Sequence, residues 1–448
     1  MHRRSFLTRT GALAATAALG QLGALTSRAA ATSDYKALVC LFLYGGNDSN
    51  NMIVPIDAAG YANYAKLRSS IALPQGQLLP LAVGTGSPQF GLHPALPGLQ
   101  SLYKAQNLAV VANVGTLVEP LTKTQYLSPG TIKPDNLFSH IDQQHQWEAS
   151  ISNTPSVTSG WGGRLADQLA SFNAGATVPP VISTGGNNLF LTGGTSQALV
   201  IPTRGSFTLN GFSNGSADVV RRSALQQLLG IDQRAVLVKA AQSIMADALD
   251  SSARLNPILI NTDTTLTKFF GGLTSDFSQQ LLAIAKVIEA RGELGARRQV
   301  FLATLGSFDT HTGQLYRQET LFSQLDAALT AFHGAMGAIG AGTSVTSFTL
   351  SDFSRTFLPN TGGGTDHAWG GHHLVIGGAV HGGQIYGTMP MLEIGGPDDA
   401  GTEGRWIPTI AVDQYAATLA TWFGAGAGEL AGVLPNLAAF SPSTLNFV

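Results

Sequence analysis

The chain has 448 residues, with 25 Lys and Arg against 27 Asp and Glu, so its formal net charge is only −2. Charged residues make up just 12% and form no basic runs, which argues against nucleic-acid binding. The single cysteine, Cys40, excludes an intramolecular disulfide and a cysteine-based zinc cluster.

The N-terminus reads His2-Arg3-Arg4-Ser5-Phe6-Leu7, followed by an apolar stretch over residues 11–25 and then Ala29-Ala30-Ala31. A paired arginine before a moderately apolar region and a small-residue cleavage site is the pattern of a twin-arginine export signal. Residues 1–31 are therefore expected to engage the twin-arginine export machinery and to be removed, leaving a periplasmic or secreted protein. The apolar stretch falls short of the ~20 residues a spanning helix needs, so no stable membrane span is expected after cleavage. Removal takes away Arg3, Arg4, Arg9 and Arg28 but no acid, which leaves 21 basic and 27 acidic residues and a formal charge of −6.

Residues 36–44 form a continuous apolar run that reads as a buried parallel-type strand, with Cys40 as an inert core thiol. The run ends at Gly45-Gly46, followed by Asn47-Asp48. Residues 107–114 read as a second strand, and 138–150 and 164–172 as amphipathic helices. Residues 178–212, rich in Gly, Asn and Thr, read as a loop or small hairpin laid over the sheet. A helical insertion is expected over about 215–275, with a helix at 223–252. Then follow a helix at 274–291, a strand at 299–305, a helix at 315–339, strands at 345–350 and 374–376, and a terminal helix at 414–423 capped by Asp413. Strands separated by helices imply an α/β fold of three layers, αβα, around a mostly parallel sheet. Residues 32–448 are expected to form one domain.

Short Asp- and His-bearing segments follow or precede these strands, where ligands of an open α/β sheet gather. Asp48 lies just past the first strand, as a metal ligand or as an Asx-turn residue. Asp309 and His311 stand two apart after the strand at 299–305, so both can face one cation. The alternative is a capping aspartate and a solvent-facing histidine. Asp352 and Arg355 follow the strand at 345–350: a candidate ligand and a guanidinium suited to an oxyanion, or simply a pair with each other. In the glycine-rich loop before the next strand, Asp366 can ligate or orient, and His367 is the best ligand of the region. His372 or His373 can instead pack at the strand start. Ser139-His140 opens a helix, where Ser139 can cap the helix or serve as a hydroxyl nucleophile.

In this order the segments resemble the alkaline-phosphatase and sulfatase-like superfamily, and within it the exported bacterial family catalogued as domain of unknown function 1501. The resemblance spans nearly the whole chain. It implies an alkaline phosphatase-like fold with loop and helical insertions and one or two divalent metal ions, zinc, manganese or calcium. Carried across, Asp48, Asp309, His311, Asp352 and His367 match metal ligands, and Ser139 the nucleophile. Phe353 stands where the superfamily has a His after its late-strand Asp, and Asp309 and His311 are closer together than usual, so a single metal ion is one expectation. The implied function is an exported metal-dependent hydrolase of a phosphate or sulfate ester, on a small molecule or polymer, with Arg355 holding the anion. The alternatives are a non-catalytic metal-binding or accessory protein acting on an extracellular polymer or partner, and a purely structural cation site.

Overall fold

The computed structural model describes residues 34–82, 89–154, 156–209, 211–212, 215–231, 235–262 and 265–448. The expected export signal, residues 1–31, lies outside these.

The strands are β1 (Lys36–Leu43), β2 (Ile53–Pro55), β3 (Leu79–Pro80), β4 (Phe90–Leu92), β5 (Leu108–Gly115), β6 (Val181–Ser183), β7 (Leu199–Val200), β8 (Arg298–Leu305), β9 (Val345–Ser351), β10 (Gly371–Ile376), β11 (Ile385–Tyr386) and β12 (Ile410–Ala411). Nine of them form one sheet in the order β11-β5-β10-β9-β1-β8-β6-β7, with β12 also on β5, while β2, β4 and β3 form a small antiparallel sheet. In the main sheet β1 pairs in parallel with both β8 and β9, and only β10 runs antiparallel to its neighbours. A central strand buried on both faces needs apolar side chains at every position, which is why residues 36–43 show no polar alternation.

Among the described residues, ten helices of seven residues or more flank these strands: α1 (Ala58–Arg68), α2 (Pro97–Lys104), α3 (His140–Ala149), α4 (Trp161–Gln168), α5 (Ser216–Leu229), α6 (Val236–Ile260), α7 (Asp276–Glu289), α8 (Gln314–Ala338), α9 (Val412–Phe423) and α10 (Ala427–Val433). Alternate side chains of β1 enter two different cores. Ala37, Val39, Leu41 and Leu43 pack with Leu99 of α2, Leu281 and Ile284 of α7 and Phe322 and Leu325 of α8. Leu38, Cys40 and Phe42 pack with Trp147 of α3, Trp161 and Leu165 of α4 and Tyr415 and Leu419 of α9. The two cores are the two interfaces of a three-layer αβα sandwich, as expected from the sequence. Cys40 is buried, and burial pushes its thiol up, so it is inert.

Four details differ from the sequence expectation. Residues 178–212 do not lie over the sheet as a hairpin: they carry β6 and β7, which extend its edge in parallel from β8. The last strand starts at Gly371 and is antiparallel. The helix expected at 223–252 is two helices, α5 and α6. Asp413 lies inside the first turn of α9 and is buried, with Ala411 at the N-cap position. No helix among the described residues is long and apolar enough to cross a membrane.

Candidate metal centre

β1, β8 and β9 run the same way, so the loops that leave them meet at one edge of the sheet. β10 runs the other way, so the loop entering it arrives at that same edge. Two glycines let these loops touch. Gly45 has φ +111°, and a Cβ there would lie 2.4 Å from the Asp309 backbone N. A Cβ on Gly364 would lie 2.2 Å from the Thr310 carbonyl O. The N-terminus of α3 closes the group from the side.

Three imidazoles and one carboxylate converge there. Asp309 Oδ1 lies 2.9 Å from His311 Nε2 and 3.6 Å from both His140 Nε2 and His367 Nε2. His311 Nε2 and His367 Nε2 are 3.0 Å apart. The ligand atoms of His140, Asp309 and His367 all lie within 4.8 Å of one another.

Every imidazole is held through its other nitrogen by a group that can only accept a hydrogen bond. His140 Nδ1 donates to Asp352 Oδ2 at 2.6 Å, His311 Nδ1 to Asp366 Oδ1 at 2.8 Å, and His367 Nδ1 to the Phe138 carbonyl at 2.8 Å. A proton on each Nδ1 leaves each Nε2 of a neutral ring with a lone pair facing the centre. Lone pairs 3.0 Å apart repel unless a proton or a cation lies between them. Phe138 presents its carbonyl from φ +73°, a conformation rare for a bulky residue, with the Arg405 guanidinium over its ring.

The electrostatics favour a cation. The cluster holds Asp309, Asp352 and Asp366 against the single guanidinium of Arg355, so with neutral imidazoles it carries two uncompensated negative charges. Burial works against the Asp309 charge, but the Arg355 hydrogen bond and the nearby charges outweigh it and hold the carboxyl below its usual range. Asp366 is lowered in the same way, burial being outweighed by its hydrogen bonds from Asn360 and His311. The Asp352 hydrogen bond draws His140 above its ordinary value against burial, whereas burial takes His367 below its own. A tetrahedral cation with bonds of 2.0–2.1 Å sets its ligand atoms about 3.3 Å apart. Four of the spacings, 2.9 to 3.6 Å, bracket that value, and His140, Asp309 and His367, whose ligand atoms all lie within 4.8 Å of one another, fit such an ion, with His311 beside Asp309 and His367.

Not all of the expected ligands meet in this group. Asp309, His311 and His367 do. Asp352 is fully buried and is spent on orientation, accepting from His140, from Gln144 Nε2 at 2.8 Å and from Gly45 N at 3.1 Å. Asp366 orients His311 rather than ligating or orienting His367. Asp48 is turned away: its buried carboxylate pairs with Arg68 and accepts from Gln314, so a guanidinium stands where a cation was expected. Arg355 turns its guanidinium onto groups of the chain itself. It donates to Asp309 at 2.7 Å, to the Gly45 carbonyl at 3.1 Å and to Thr365, and so ties three loops together. Ser139 is at the N-cap position of α3, but its Oγ donates to the Asp142 carboxylate at 2.6 Å instead of capping the backbone. His372 and His373 are both packed in β10.

His140 is the member of this cluster that sequence reasoning did not count among the candidate ligands. Its signal was its place in Ser139-His140 at the start of a helix, but only the fold brings it opposite Asp309. Phe353 explains how it fits: the ring packs against His140 and His367, each at 4.8 Å between centroids, and makes an apolar wall where the superfamily pattern has a ligand.

Several solved structures are similar at low identity. Ps i-CgsB in complex with k-i-k-neocarrahexaose is 9% identical with a TM-score of 0.32, covering 87% of this chain and 72% of that one. The lipoteichoic acid synthase LtaP from Listeria monocytogenes is 9% identical with a TM-score of 0.33, covering 88% and 74%. The alkaline phosphatase from the Antarctic bacterium TAB5 is 9% identical with a TM-score of 0.29, covering 79% and 95%. No curated protein matches the chain. The family model described as Protein of unknown function (DUF1501) matches residues 35–398, and the chain belongs to that family.

Proposed function

We propose that His140, His311 and His367, each through Nε2, and Asp309 through Oδ1 hold one divalent cation, and that the exported protein hydrolyses a phosphate or sulfate ester beside it. The observation that carries the reading is the tethering of all three Nδ1–H groups, which leaves three bare Nε2 atoms around one carboxylate oxygen. A donor set rich in imidazole suits zinc better than calcium, which takes oxygen ligands. The four side chains are 27 to 45% exposed, so the centre has an open side, as catalytic sites do and closed structural sites do not. The order of the motifs, which resembles the alkaline-phosphatase and sulfatase-like superfamily, supports ester hydrolysis.

A cation bound there would supply Lewis acidity toward an ester oxygen. The chain's own groups do the rest. Arg355 fixes Asp309, Asp352 fixes His140, and Asp366 fixes His311. Ser139, one residue before His140, is the nucleophile in this reading. Its partner Asp142 is a weak base, because hydrogen bonds from Ser139 and Asn136 hold its carboxyl below the usual range. Ser139 therefore depends on the centre, not on Asp142, for activation.

Chelation and reloading with zinc, manganese or calcium, followed by elemental analysis and ester turnover on the same samples, tests the reading. One equivalent of metal and metal-restored turnover are expected. Ser139→Ala should keep the metal and lose turnover by about 100-fold or more. Unchanged turnover in that variant removes Ser139 from the mechanism. A non-catalytic or accessory role is the second reading, favoured by the Arg68 guanidinium on Asp48 and by the engagement of Arg355 with Asp309, Gly45 and Thr365 of the chain itself. Bound metal with no turnover of any ester would select it.

A further inference from the structure

A second cavity, of about 280 Å³, opens between the small sheet and β10. None of the four groups of the metal centre lines it. Its walls are apolar, built from Ile53, Phe90, Phe357, Met389 and Leu392, with His372 reaching in from β10. Among the polar groups around it, Asn50 is satisfied, donating to the Arg355 carbonyl at 3.1 Å and accepting from Trp406 Nε1 at 2.9 Å. Asn63 donates to the Leu392 carbonyl at 2.7 Å, and Asp57 accepts from Gly60 N at 2.9 Å.

His372 is different. Its side chain is deeply buried, at 4% residue exposure. Its Nδ1 accepts from the Asn113 backbone N–H at 3.1 Å, so in the neutral ring the proton is on Nε2. That N–H has no partner among the described residues. The Nε2 atom is not sealed from solvent, so its hydrogen is open to a ligand or an ordered water in the cavity.

We propose that this cavity binds a small neutral molecule with an apolar body and one acceptor oxygen, which takes the His372 Nε2–H. The size is at the lower end of the roughly 300–1,000 Å³ typical of small-ligand sites, enough for a single ring or a short acyl group. The one carboxylate of the lining, Asp57, is exposed and accepts from Gly60 N, so the buried walls present no charge. Burial takes His372 down to about 4, so it offers a dipole and no charge near neutral pH. Among the described residues, no Lys or Arg lines the walls to hold an anion.

Acetophenone and ethylbenzene, which share a ring and differ in the carbonyl oxygen, are the probes. Each is titrated against the full chain and followed by saturation-transfer NMR. Saturable binding of acetophenone roughly tenfold tighter than ethylbenzene is expected, the difference one buried hydrogen bond makes. Ala59→Trp, at the exposed mouth, should abolish binding of both without disturbing the fold. His372→Phe should level the two affinities. Equal affinity of the two probes for the wild-type chain, binding that survives Ala59→Trp, or no saturable binding by either probe overturns the proposal.

Discussion

Asp48 and His140 show where single residues were and were not readable. That Asp309, His311 and His367 come together was foreseeable, because each sits in a short motif at a strand end and two of them share a turn. His140 was not, because its partners Asp352 and Asp309 are more than 160 positions away and nothing local marks a helix-start histidine as a ligand. Asp48 was assigned to the metal because its loop has the right residues, but its partner Arg68 lies at the end of α1, outside any motif. A carboxylate and guanidinium that are both fully buried depend on each other, since removing one leaves the other charged in a low-dielectric core. Asp48→Ala is therefore expected to cost about 3–5 kcal/mol in chemical denaturation while the folded fraction still binds one metal. Loss of metal with unchanged stability would return Asp48 to the ligand set.

At the scale of elements, the apolar runs of β1 and β8 announced buried strands, and their two-sided burial bears this out. β6 and β7 went unread because three- and two-residue strands amid Gly, Asn and Thr show no period. The direction of β10 is not written in an apolar run at all. It matters, since an antiparallel β10 brings His367 to the exits of its neighbours. Gly45 sets the contact between the β1 and β8 loops, so Gly45→Ala should loosen metal binding without removing a ligand. Elemental analysis would show occupancy well below one equivalent at limiting metal, and full occupancy would exclude this role for the contact. The N-terminal turn of α9 carries a pH dependence. Burial pushes Asp413 up to about 7 from 3.8, against the opposing pull of Arg164. A carboxyl raised on folding gives stability that is complete below about pH 4 and is lost as the pH rises through 7. Asp413→Asn should flatten that fall and stabilise the protein at pH 8, by up to about 4 kcal/mol at 1.36 kcal/mol per unit. Identical melting profiles of both proteins from pH 5 to 8 would contradict it.

For the molecule as a whole, the three-layer architecture follows from alternating strand and helix patterns, and the site follows from the sheet, since one edge collects the exits of β1, β8 and β9 and the entry to β10. The sequence motifs suggested more metal ligands than the fold brings together. Arg68 neutralises Asp48, Phe353 fills the place beside Asp352, and the remaining donors close on one centre. Metal content of three proteins measured side by side tests this most directly: the wild type, His140→Ala and Asp48→Ala, each stripped and reloaded with zinc. One equivalent in the wild type and in folded Asp48→Ala, and little or none in His140→Ala, is the expected result. Metal kept by His140→Ala and lost from Asp48→Ala would contradict the centre described above.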